Sequence, residues 1–125
     1  MLLAEVARAA PADARGHHAG GMADAEGFLA MEIDEHLIHT ADIAEGLGGP
    51  FDPPIDIVRR LLDRLFPWWP VGADPWAALL WANGRGELPG RPNPRETWLW
   101  HCRPLAEWDG TVPRWDPVSN RAVSS

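Results

Sequence analysis

Residues 28 to 47, from Phe28 through Leu47, form the longest uninterrupted helical pattern in the chain. At 3.6 residues per turn each position advances about 100°. On that wheel Glu32, Glu35, His36, His39 and Asp42 share an arc of about 120°. Phe28 and Ile43 lie in the same arc, and Met31 and Ile38 border it. Asp34 and Glu45 fall on roughly the opposite side, beyond Leu29, Ile33 and Leu37. With those two acids as the water-facing edge, the pattern predicts that the His/Glu stripe points inward. Inward imidazoles and carboxylates one turn apart need partners. A metal site and a hydrogen-bonded structural cluster both answer that need.

The rest of the chain divides by the same reading. Residues 2 to 10 give a short Ala/Leu-rich helix stopped by Pro11. Residues 11 to 23, with Gly16, His17, His18, Gly20 and Gly21, read as a solvated loop. Asp24 is placed to cap the long helix, and Gly46, Gly48, Gly49 and Pro50 to end it. Asp52-Pro53-Pro54 opens a second helix, with Asp52 as its cap. Its buried face is Val58, Leu61, Leu62, Leu65 and Phe66, and Arg59, Arg60, Asp63 and Arg64 form its solvated face. Pro67 ends it. Asp74-Pro75 opens a third helix that stops at Asn83-Gly84. Residues 85 to 96 are a turn-rich linker, and Thr97 to Cys102 alternate as a short strand. Trp108 and Trp115 lie in irregular chain as lids over the core, and residues 119 to 125 read as a frayed tail.

Composition sharpens this division. Twelve of the 13 prolines and all 8 tryptophans lie from residue 50 onward. The expected organisation is therefore a helical unit over 1–50, a Trp/Pro-rich extension over 51–118 and a tail over 119–125. At 125 residues the chain has room for one modest core. Its net charge of −7 argues against nucleic acid or an anionic membrane as partner. No apolar run approaches the roughly 20 residues of a membrane span. The first residues lack the basic start of a signal peptide. The single cysteine, Cys102, fits a reducing compartment. The expected setting is cytoplasmic. His101 and Cys102 are neighbours on the predicted strand, so they point apart and do not form a nucleophile–base pair.

One helix can offer a divalent ion a Glu and a His four residues apart, because i and i+4 project along nearly one line. Two pairs qualify, Glu32 with His36 and Glu35 with His39, and spacing does not choose between them. A catalytic site needs at least a third protein ligand beside water or substrate. A thiol bound to such a metal ionises readily, so thiol activation is its natural chemistry.

The run from Gly16 to Gly27, followed by Met31, Asp34-Glu35, His39 and Asp42-Ile43, resembles the last bundle helix of the DinB-like superfamily. Its nearest branch is the mycothiol-dependent maleylpyruvate isomerase type. Asp52-Pro53-Pro54, Phe66-Pro67-Trp68, Asp74-Pro75-Trp76 with Leu79-Leu80-Trp81, and Trp98 to Trp108 resemble its C-terminal region, so the similarity covers most of residues 1 to 118. The resemblance implies a four-helix bundle holding a divalent metal, usually zinc. It implies Glu35 and His39 as two metal ligands and Asp42 as a supporting residue, with Glu32 and His36 outside the pattern. The first His ligand of the family lies on an earlier helix, ahead of the point where this sequence begins. The chain thus resembles roughly the C-terminal half of such a protein.

The expected fold is mainly α: an incomplete DinB-like bundle with a Trp-rich C-terminal extension containing a short strand. The expected function is metal binding in support of thiol-dependent transfer or isomerisation, with mycothiol as the small-molecule thiol. A second copy, or another chain, would supply the remaining helices. The alternative is a non-catalytic remnant that docks a partner.

Overall fold

The computed structural model describes residues 2–124. Among the described residues there are four α-helices: α1 (Leu2–Ala9), α2 (Ala25–Leu47), α3 (Ile55–Leu65) and α4 (Pro75–Ala82). Two antiparallel hairpins complete it, β1 (Gly16–His18) with β2 (Gly21–Ala23), and β3 (Pro113–Asp116) with β4 (Arg121–Ser124). The protein is mainly helical. No helix among the described residues is long and apolar enough to cross a membrane.

Local chemistry explains the helix ends. The Asp24 carboxylate accepts from Gly27 N at 3.0 Å, and Gly48 closes α2 in the left-handed region. Asp74 accepts from Ala77 N, and Pro75 fits the first turn of α4 because its missing N–H would have had no partner there. The start of α3 departs from expectation. Pro54 occupies the cap position and no side chain caps the helix, so Asp52 stays outside it. Pro54 already has its φ fixed near the helical value, which lets the turn begin without a capping carboxylate.

The core is shared by α2, α3, α4 and the segment around residue 100. Met31 and Ile38 of α2 meet Val58, Leu61, Leu62 and Leu65 of α3, with Phe66, Leu79, Trp81, Trp100 and Cys102. The predicted strand over Thr97–Cys102 is not formed. A single 3-10 turn occupies Arg95–Thr97, and the segment after it has no strand partner. Its backbone is tied instead to α3, where His101 N donates to Leu65 O at 2.8 Å. The strands lie elsewhere. The Gly16–Ala23 loop closes as a hairpin through the turn at Ala19-Gly20, with Gly20 N donating to His18 Nδ1 at 3.1 Å. Residues 121–124, expected to fray, pair with 113–116. Asp116 holds that turn by accepting from Val118 N and Ser119 Oγ, and Asn120 takes the positive φ of 54°.

Candidate functional site

The orientation of α2 is the reverse of the sequence expectation. Gly27, Ala30, Met31, Asp34 and Ile38 are the buried positions, and the Glu35/His36/His39 stripe faces solvent. The reason is Asp34, which is fully buried and serves as an acceptor inside the core. Trp100 Nε1 donates to Asp34 Oδ2 at 2.8 Å, and Asn83 Nδ2 donates to Oδ1 at 3.2 Å. An acid with two such donors is retained in the interior, and the helix turns its other polar residues outward. Burial pushes the Asp34 carboxyl up to about 6 against the opposing pull of those two donors.

The two candidate pairs are no longer equivalent: Glu35 and His39 are exposed, whereas Glu32 is half-buried and one of its carboxylate oxygens, Oε2, is buried without a partner among the described residues. Glu35 Oε2 lies 2.9 Å from His39 Nε2, within hydrogen-bond reach, whereas Glu32 Oε1 lies 3.6 Å from His36 Nε2. The other ring nitrogen of His39, Nδ1, faces Asp42 Oδ2 at 3.8 Å. Asp42 is held in turn by Arg85, whose Nε and Nη2 donate to its carboxylate at 2.9 to 3.2 Å. That guanidinium holds the Asp42 carboxyl below its ordinary range and is itself raised by the pairing. Glu35 with His39 and Asp42 with Arg85 are thus two hydrogen-bonded pairs that face each other across 3.8 Å, and Arg85 lies in the predicted linker. No local signal marks it, because its partner is 43 residues away.

The metal that the resemblance implies can be tested against these atoms. Glu35 and His39 Nε2 are adjacent donors of the right kind, and Asp42 stands where a carboxylate supports a ligating imidazole from behind. Two donors do not close a tetrahedral site. Among the described residues no group of three or more His, Cys, Asp or Glu side chains is placed to hold a metal ion. The same face carries Ile43 and Leu47, which are 61% and 83% exposed.

His17 is exposed, as expected, but His18 is not free. Its Nδ1 lies 3.3 Å from Cys102 Sγ, and its ring packs 5.6 Å from that of Trp100. Cys102 is also 3.7 Å from Met31 Sδ. Burial pushes the thiol up to about 11 and lowers His18, so at neutral pH the pair is a thiol beside a neutral imidazole. His101 turns away to Pro104 O at 3.3 Å. The Cys102 environment is structural in kind.

Arg64, expected on the solvated face of α3, is buried. It donates to Asp24 Oδ1 at 2.6 Å, Glu26 Oε1 at 2.7 Å, and the His101 and Cys102 carbonyls at 3.2 Å. One guanidinium thereby joins the start of α2, the last turn of α3 and the segment that carries Cys102. Its planar fork of five donors suits this task, which an ammonium could not perform. Comparison of the chain with protein-family models, with curated proteins and with solved structures finds no match.

Proposed function

We propose that α2 presents half of a divalent-metal site, with Glu35 and His39 as ligands and Asp42 as the group that orients His39. The observation that carries this reading is the two-sided environment of His39. Nε2 meets Glu35 at 2.9 Å, while Nδ1 faces an Asp42 already fixed by Arg85. A ligating histidine takes a carboxylate behind it, and Asp42 stands on that side of His39, 3.8 Å away and short of a hydrogen bond. The remaining donors come from outside the described residues, from a second copy of the chain or another chain that covers the α2 face. The exposure of Ile43 and Leu47 beside the ligands supports such a cover. The DinB-like resemblance supports zinc as the metal and thiol-dependent transfer or isomerisation, with mycothiol as cofactor, as the chemistry of the completed protein.

The test is metal content by mass spectrometry on protein purified without chelator and dialysed against zinc, wild type beside His39→Ala. The expected result is close to one zinc per chain or per dimer, lost in the variant. Zinc at the level of the chelated control in the wild type overturns the proposal. A second reading, a non-catalytic docking domain, is favoured by the exposure of Glu35 and His39 and the lack of a third donor among the described residues. It predicts self-association that is independent of zinc and unchanged in His39→Ala.

A further inference from the structure

A concave site lies on different elements and does not depend on the α2 face. Trp68, Trp81 and Trp98 wall a cleft of about 310 Å³, and Arg91 and Arg114 line it together with Pro113. Three features separate it from an ordinary surface groove. The first is rigidity. Trp68 and Trp98 both lean on the fully buried Phe66, at ring separations of 5.7 and 6.3 Å. Trp98 also stands edge-on to Trp100 at 5.0 Å, and Trp81 Nε1 is pinned to Pro92 O at 3.1 Å. A wall fixed in this way loses little freedom when a ligand packs on it.

The second feature is charge. The chain carries 18 acids against 11 arginines, yet the residues lining this cleft include two arginines and no acid. Neither the Arg91 nor the Arg114 guanidinium has a hydrogen-bond or ion-pair partner among the described residues. Arg64 and Arg85, by contrast, are each paired with carboxylates. The third is donor content. The indole N–H groups of Trp69, Trp81, Trp100 and Trp108 are each bonded within the chain, whereas those of Trp68 and Trp98 have no partner among the described residues. The cleft thus offers flat apolar walls, two of them carrying an unpaired indole N–H, and two arginines; none of its lining side chains is acidic, and one of them, Asn93, bonds the Glu87 carboxylate at 3.4 Å.

We infer that this cleft binds a planar aromatic carboxylate, with the ring against Trp68 and Trp98 and the carboxylate on Arg91 and Arg114. Guanidinium groups recognise a carboxylate through paired N–H donors, and the volume suits a ligand of one or two fused rings. Its size and its three aromatic walls select against larger or non-planar anions.

The test is calorimetric titration of the full chain with 2-naphthoate. The expected result is saturable 1:1 binding, weakened roughly fivefold or more by Arg91→Gln or Arg114→Gln and abolished by the double variant. Both arginines are exposed and unpaired, so both variants should keep the wild-type melting temperature, which is measured alongside. Neutral 2-naphthamide and non-aromatic cyclohexanecarboxylate should each bind roughly tenfold more weakly. In heteronuclear NMR the indole N–H signals of Trp68 and Trp98 should move on titration, while that of Trp69 stays. No saturable binding, unchanged affinity in the double variant, or equal affinity for the amide overturns the inference.

Discussion

Trp100 Nε1 donates to Asp34 Oδ2 at 2.8 Å, a contact that joins the middle of α2 to a segment 66 residues later. With Asn83 on the other oxygen, the carboxyl is hydrogen-bonded but fully buried, and burial prevails in raising it to about 6. In the unfolded chain the same group titrates near 3.9. Between those values the folded state holds a proton that the unfolded state has released. This group's contribution to stability is therefore complete below about pH 4 and is lost as pH rises through 6. Glu35 raises the carboxyl further and Arg85 lowers it, both as smaller effects. Asp34→Asn keeps an acceptor and removes the proton. Urea unfolding at pH 4.5, 5.5 and 7 should show the variant gaining on the wild type by about 1 kcal/mol from pH 4.5 to 5.5 and by less per pH unit from there to 7, where the folded carboxyl has also ionised. Parallel pH profiles would count against a buried, titrating Asp34.

Two glycines of α2 should respond to alanine with opposite sign. At Gly27 an added Cβ would lie 2.4 Å from Cys102 O and 2.9 Å from Arg64 Nη2. The first neighbour is backbone and the second is fixed by four acceptors, so neither yields cheaply. Gly27→Ala should cost about 1 to 3 kcal/mol. At Gly46 nothing lies within 4 Å of the added carbon, and the position is helical. Gly46→Ala should stabilise by about 0.5 to 1 kcal/mol through the lower conformational entropy of its unfolded chain. Thermal unfolding of the two variants beside the wild type decides both. A destabilised Gly46→Ala would mean that this surface of α2 is covered in solution.

What the sequence made legible was whatever is decided within a few residues. Asp24 and Gly48 mark the ends of α2, and Asp74-Pro75 the start of α4, because capping uses neighbouring backbone groups. The buried face of α3 follows from its spacing. The facing of α2 was not legible. Periodicity gives a stripe but not its direction, and the direction was set by Asn83 and Trp100, 49 and 66 residues from Asp34. Arg64 was misplaced for the same reason, since its partners Asp24 and Cys102 are 40 and 38 residues away. The final hairpin carries no core-facing alternation along residues 121–124, and its signal is confined to the turn chemistry of Asp116 and Asn120. At the candidate site, spacing offered two equal Glu/His pairs, and side-chain placement separated them, at 2.9 against 3.6 Å.

Cys102 is the only thiol, and its surroundings predict inertness. A nucleophilic cysteine is a thiolate, favoured by exposure and by a charged imidazole. Here the side chain is 1% exposed, the thiol is pushed up to about 11 by burial, and His18 is lowered into its neutral form. Gly20 also closes over the sulfur, since a Cβ there would sit 2.8 Å from Sγ. At pH 8 the folded protein should react with a soluble aromatic disulfide at least roughly 10²-fold more slowly than the same chain in 8 M urea, from the thiolate fraction alone. The native rate should rise with urea in step with the unfolded population, because modification then requires opening. His18→Ala separates the two roles of the imidazole. If His18 only packs against Cys102 and Trp100, the variant reacts as fast as the wild type or faster. A slower reaction would show that His18 takes the thiol proton as a base, and its role as packing alone would be wrong.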